Sequence, residues 1–255
     1  MKKELVAFDR ILYILDELRE KCPWDRKQTM ESLRNLTIEE TYELAEAIIE
    51  KDMPEIKKEL GDLLMHIVFY AKIAEENDEF TITDVINSVC EKLISRHPHV
   101  FSDTKVKDHK EVEKNWEQIK MTEGYKSILS GVPDSLPALI KSNRIQQKVR
   151  GVGFDWDEKE QIWDKIQEEF KELQVEVRDN NYEKTEAEFG DLLFSIINAA
   201  RLYDIDPENA LEKTNRKFIK RFKYLERETL SKGQSLKDMN LDEMNAIWEE
   251  AKKED

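Results

Sequence analysis

The sequence predicts an all-α fold made of two tandem homologous helical modules, and three observations predict it. Helix-breaking residues are scarce, with seven Gly and six Pro in 255 residues, while charged residues make up 38% of the chain. Apolar residues recur at steps of three and four, the period of a helix buried on one side. The chain also repeats itself: residues 38–73 lie over 167–202 without a gap, at a constant offset of 129.

Taken in order, Leu5, Phe8, Leu12, Leu15 and Leu18 mark a first helix over residues 4–20. It stops near Cys22-Pro23, because proline disfavours helical geometry in the residue before it. Trp24 to Thr29 reads as a polar connector. Thr37, with Glu40 three residues on, reads as the capping box of the next helix, which carries Ile38, Tyr42, Ala45, Ile48 and Ile49 on one side. Beyond Met53-Pro54, a third helix carries Ile56, Leu60, Leu63, Leu64, Ile67, Val68 and Ala71. A fourth spans 82–96 and is closed by His97-Pro98-His99, and another follows near 111–121. Gly124, Gly131, Pro133 and Pro137 then interrupt any helical period. Residues 125–137 are therefore read as a linker between an N-terminal module, 1–124, and a C-terminal module, 138–255. In the second module 139–149 is helical and 151–156 is a loop. Ile162, Ile166, Phe170, Leu173 and Val177 form a stripe that Asp179-Asn180-Asn181 ends. Two further helices are expected to bury Phe189, Leu192, Leu193, Ile196 and Ile197, then Leu211, Phe218, Phe222 and Leu225. A short helix over 241–252 follows.

A net charge of −15 argues against a broad nucleic-acid or anionic-membrane surface, either of which needs basic patches. A free nucleotide carried in with its metal is compatible with it. Cys22 and Cys90 have no zinc or redox spacing and read as reduced, buried thiols. The sequence shows no signal-type apolar core and no apolar run of about 18 residues, so a soluble cytoplasmic protein is expected.

The repeat matches Glu39, Glu40, Glu43, Glu59 and Asp62 to Glu168, Glu169, Glu172, Glu188 and Asp191. Residues three apart on a helix share a face, so Glu169 and Glu172 on one helix can meet Glu188 and Asp191 on the next. A lone acidic motif in so acidic a chain is ordinarily a solvated helix face; repetition at identical spacing weakens that reading. Gly61 and Gly190 weaken it further. Glycine within a helix costs about 1 kcal/mol relative to Ala, so a close helix crossing or a backbone approach to ligand is expected there. Clustered carboxylates need cations or protons, and an all-oxygen set favours Mg²⁺, with Mn²⁺ as a substitute.

Lys217 and Arg221, four apart and beside Asn215, are either a solvated cationic face or fixed charges for phosphate. Lys184 either joins them or pairs with Glu188 at the surface. Trp248 reads as a packing residue or an indole that stacks on a base. His66, His97 and His99 lack partners at ligand spacing and are given structural roles.

With these residues in view, the chain resembles the MazG family of the all-α NTP pyrophosphatase superfamily. The resemblance rests on the duplicated acidic motifs followed by Leu-Leu, on Cys22-Pro23-Trp24-Asp25, on residues 96–101, on Trp116 and its neighbours, and on Gly153-Phe154-Asp155-Trp156. It implies Mg²⁺-dependent hydrolysis of NTP or dNTP to monophosphate and pyrophosphate, by helical modules that form a homodimer. It further implies Glu169, Glu172, Glu188 and Asp191 as metal ligands, with Lys217, Arg221 and Trp248 on the nucleotide. Glu168 is the candidate for orienting the attacking water. Glu40, Glu43, Glu59 and Asp62 form a second, weaker metal cluster, because Cys90 stands where the second half has Asn215 and His97-Pro98 ends the helix after Arg96. A non-catalytic helical interaction module, and a narrow hydrolase of dUTP, dCTP or a phosphoribosyl nucleotide, stay open as alternatives.

Overall fold

Side-chain caps set where most of the long helices begin. α2 (Met30–Glu50) starts at Thr29, whose Oγ1 accepts from the Ser32 backbone N–H at 3.2 Å while Ser32 Oγ accepts from the Thr29 N–H at 2.9 Å. This moves the start of α2 from the Thr37/Glu40 box read in the sequence. Thr37 lies inside the helix, where its hydroxyl donates to Leu33 O at 3.0 Å and pairs with Tyr70 Oη at 2.7 Å. The physical reason is Leu33, 1% exposed, which extends the apolar stripe towards the N-terminus and needs the extra turn. α3 (Met53–Glu76) starts at Asp52 with Pro54 in its first turn, and α4 (Ile82–Arg96) starts at a Thr81/Asp84 capping box. A four-residue α5 (Pro98–Phe101), absent from the sequence reading, follows directly.

The computed structural model describes residues 2–108, 111–112, 115, 119 and 127–254, in two units, Met1–Lys105 and Val106–Asp255. The helix expected near 111–121 falls largely outside the described residues, and Trp116 wholly so. Residues 127–137, read as linker, belong to the second unit, where Lys148 Nζ donates to Ile128 O at 3.1 Å.

In the first unit α1 (Lys3–Lys21) packs on α3, and α2 pairs with α3. Leu15, Leu33, Val68, Phe69 and Ile73 form the core. Each such buried side chain contributes about 1.5–3 kcal/mol. The second unit repeats the plan. α6 (Ala138–Arg150) packs on α8 (Tyr182–Leu202), α7 (Ile162–Arg178) pairs with α8, and α9 (Pro207–Ser231) pairs with α10 (Leu241–Ala251). Among the described residues there is no strand, and no helix is long and apolar enough to cross a membrane.

The repeat extends to features that sequence matching alone does not display. The turn between the paired helices places Lys51 in one unit and Asn180 in the other in the left-handed region, at φ 59° and 53°, and the next residue, Asp52 or Asn181, caps the following helix. Lys72 and Arg201, also at the offset of 129, both hold a carboxylate from the preceding segment: Asp16 at 2.8 Å and Asp155. The paired helices therefore turn back at the same register in both units, which brings the two acidic faces opposite each other.

Two expectations are corrected. Of the stripes assigned to α8 and α9, only Ile197 and Leu225 are buried; Phe189, Leu193, Ile196, Leu211, Phe218 and Phe222 are 38–58% exposed. The stripes are wider than the surface this chain covers with its own helices. Cys90 is exposed and Cys22 half-buried, so neither is a buried thiol.

Candidate active site

The α7/α8 pair brings Glu169, Glu172 and Glu188 together, with one carboxylate oxygen from each lying within 4.8 Å of the others. Glu169 is buried, Glu188 half-buried and Glu172 exposed, so the group opens to solvent on one side. Glu188 Oε2 is buried without a hydrogen-bond partner. Burial pushes the Glu188 carboxyl above its ordinary value, and the charges of Glu172, Asp191 and Glu169 add to the effect. Asp191 thus joins the field of the cluster while lying outside the converging trio.

The α2/α3 pair builds the same arrangement from Glu40, Glu43 and Glu59, again within 4.8 Å. Glu59 is wholly buried and its Oε2 has no hydrogen-bond partner. Glu40 is pushed up to about 7 by burial first, then by the adjoining Glu59 carboxylate, Asp62 and Glu43. The hydrogen bond from Lys58 holds Glu59 below the usual carboxylate range. Burial lowers His66, one turn beyond Asp62, and its Nδ1 has no partner.

These observations fit a hard divalent cation. The donors are all carboxylate oxygens, they converge, and in each cluster one buried oxygen has no protein donor. A lysine partly offsets the charge in both units, by different routes. Lys165 donates to Glu168 at 3.0 Å and to Glu169 at 2.7 Å, from one turn earlier on the same helix. Lys58 reaches Glu55 at 2.7 Å and Glu59 at 2.8 Å from the neighbouring position. Neither lysine stood out in the sequence. The Lys165–Glu169 spacing is an ordinary i,i+4 surface pair there, and only the burial of Glu169 gives it weight.

The other candidates sit as follows. Glu168 is 56% exposed and held by Lys165. Lys184 pairs with Glu176 at 3.4 Å, and no pairing with Glu188 is seen. Asn215 and Lys217 are exposed on α9. Arg221 lies over the Trp248 ring, its Cζ 5.9 Å from the centroid, so these two residues of α9 and α10 form a second group. Gly61 and Gly190 show no close crossing. A Cβ at either would meet no atom within 4 Å, so packing inside this chain does not require glycine.

The model of the MazG nucleotide pyrophosphohydrolase domain matches residues 28–101 and 157–225, which carry both acidic helix pairs. The chain belongs to the MazG family. It is 46% identical over 257 aligned residues to the nucleoside triphosphate pyrophosphohydrolase/pyrophosphatase MazG of Thermotoga maritima, covering 99% of this chain and 98% of the relative. It is 40% identical to the nucleoside triphosphate pyrophosphohydrolase of Escherichia coli K12, covering 97% of each. The crystal structure of a mazG-related protein from Thermotoga maritima aligns with 44% of this chain and 98% of its own, at 31% identity and a TM-score of 0.40. The MazG match covers the acids, Lys217 and Arg221, and ends before Trp248.

Proposed function

We propose that the second unit hydrolyses nucleoside triphosphates to nucleoside monophosphate and pyrophosphate, with Mg²⁺ held by Glu169, Glu172, Glu188 and Asp191. The observation that carries this reading is the convergence of three carboxylates, one of which, Glu188, has a buried oxygen without a partner. The names of full-length relatives at 40–46% identity support the choice of reaction. When bound, the cation supplies charge neutralisation at the phosphate oxygens and acidifies a water.

The chain's own residues then have defined tasks. Glu169 is fixed by burial and by Lys165, so its carboxylate keeps its direction as substrate arrives. Glu172 and Glu188 close the cluster from opposite helices. Glu168, adjoining the cluster, orients the attacking water and takes its proton. Lys217 and Arg221 balance charge on the departing pyrophosphate, with Asn215 and Lys184 as further polar contacts, and Trp248 takes the base. The first unit keeps the acids, with Glu40, Glu43, Glu59 and Asp62 as a weaker metal cluster. The exposed apolar stripes of α7 and α8 support a homodimer in which two copies cover each other's faces, and a cytoplasmic location accords with metal-nucleotide substrates.

Product analysis tests the proposal. ATP with Mg²⁺ should yield AMP and pyrophosphate; ADP with orthophosphate would contradict it. Glu172→Ala should abolish turnover at unchanged helicity, and Glu43→Ala should matter less. Equal loss in both variants would overturn the preference for the second unit. Absence of turnover with a panel of NTPs, dNTPs and phosphoribosyl nucleotides would point to an interaction module instead.

A further inference from the structure

Phe218 is 57% exposed on α9, yet its ring is committed to two neighbours. It lies 5.0 Å from the Trp248 ring at 55°, the tilted geometry that aromatic quadrupoles favour, and 6.3 Å from Phe222, nearly parallel at 8°. Phe218, Arg221 and Phe222 occupy positions i, i+3 and i+4, so one turn of α9 carries both rings and the guanidinium on one face. Trp248 is met by two of them: Phe218 makes the tilted ring contact and Arg221 lies over the indole at 5.9 Å. The sequence reading put Phe218 in the core. A half-exposed ring gains little from burial, and an aliphatic residue would serve a plain packing role equally well. What an aliphatic side chain lacks is an edge or face that fixes the tilt of an indole.

We infer that Phe218, backed by Phe222, is a positioning residue for the nucleobase, acting by fixing the Trp248 indole in the orientation on which the base stacks. This rests on the assignment of Trp248 to the nucleotide. It deepens that assignment by making base affinity, rather than the phosphate chemistry, depend on an aromatic ring at 218.

The test measures turnover of ATP, UTP and CTP with Mg²⁺, and calorimetric binding of an α,β-imido ATP analogue, on the full chain. Phe218→Leu should raise KM and the Kd of the analogue by about two- to tenfold, the range an aromatic pair contributes, with kcat nearly unchanged and the larger effect on the purine. Phe218→Tyr, which keeps the ring, should restore both to within about twofold of wild type. In a Trp248→Leu background, Phe218→Leu should add almost nothing, because the partner through which it acts is gone. A KM and Kd unmoved by Phe218→Leu, a loss confined to kcat, failure of the Tyr variant to rescue, or full additivity with Trp248→Leu would each overturn the inference. Wild-type protein that binds the analogue without hydrolysing ATP would sink the proposed reaction and leave this test intact. Wild-type protein that does not bind the analogue would sink the inference as well.

Discussion

Replacing Arg201 by Met tests how the second unit holds its acidic helices in register. Arg201 is 7% exposed. Its guanidinium donates to both oxygens of Asp155, one of them at 3.1 Å, and to Asn198 Oδ1 at 3.0 and 2.7 Å. The pair ties the loop before α7 to the far end of α8, where Trp163 Nε1 also donates to Tyr203 Oη at 2.9 Å. Removing one partner of a buried pair costs about 3–5 kcal/mol. Asp155 remains 20% exposed and keeps Arg150 Nε at 3.5 Å, so we expect a cost somewhat below that range, about 2–3 kcal/mol. Urea unfolding followed by tryptophan fluorescence and circular dichroism reads this as a lower midpoint for the second unit at unchanged slope. Asp155→Asn should cost little further in the Arg201→Met background. Burial raises the Asp155 carboxyl, but the hydrogen bonds from Arg201 and from the Trp156 backbone N–H, with the charges of Arg201 and Arg150, together outweigh this and leave it below the usual aspartate value. The stabilisation is therefore full above the ordinary carboxyl pKa and fades as pH falls through the depressed one, so wild type and variant should converge in acid. A loss below about 0.5 kcal/mol, the range of ordinary surface substitutions, or a gap that stays constant into acid, would refute the role given to the pair.

Other consequences follow from the clusters and caps. Because Glu40 is pushed up to about 7, the folded, metal-free protein keeps a proton that the unfolded chain has already released at lower pH. Thermal stability in a chelator should fall as pH rises from ordinary carboxyl values towards 7, and Glu40→Gln should flatten that decline; an identical slope in both proteins would contradict it. Lys165→Met, by removing the cation on Glu169, should lower the melting temperature without metal and enlarge the rise on adding Mg²⁺. Equal shifts in both conditions would show that Lys165 does not compensate the cluster. Thr29→Ala should destabilise the first unit by about 1 kcal/mol in urea titrations, whereas the capping box read at Thr37 predicts no loss at residue 29.

The convergence of the acidic side chains is legible in the sequence because its spacing is a property of the helix itself. Residues three apart share a face whatever surrounds them, and duplication at a constant offset separated Glu169, Glu172 and Glu188 from the many surface acids. The breaks at Cys22-Pro23 and Asp179-Asn180-Asn181 were legible for a similar local reason. What escaped depends on neighbours. The capping box of α2 lies at Thr29/Ser32 and not at Thr37/Glu40, because the burial of Leu33 requires the earlier start. Stripe periodicity located α8 and α9 but did not tell a covered face from an uncovered one, so Phe189, Leu193 and Phe218 were wrongly placed in the core. Lys58 and Lys165 matter only because the glutamates they touch are buried. The glycines within the acidic motifs read as sites of a close helix crossing or of a backbone approach to ligand, and the open space beside them rules against the crossing within this chain.

The central claim is that the α7/α8 carboxylates hold a divalent ion against a triphosphate. Mn²⁺ titration followed by electron paramagnetic resonance, with the α,β-imido ATP analogue present, tests it most directly. Wild-type protein should take up Mn²⁺ tightly only when the analogue is bound, and Glu188→Gln should lose that nucleotide-linked uptake while keeping its helicity. Unchanged nucleotide-linked Mn²⁺ binding in Glu188→Gln would place the ion elsewhere and contradict the account.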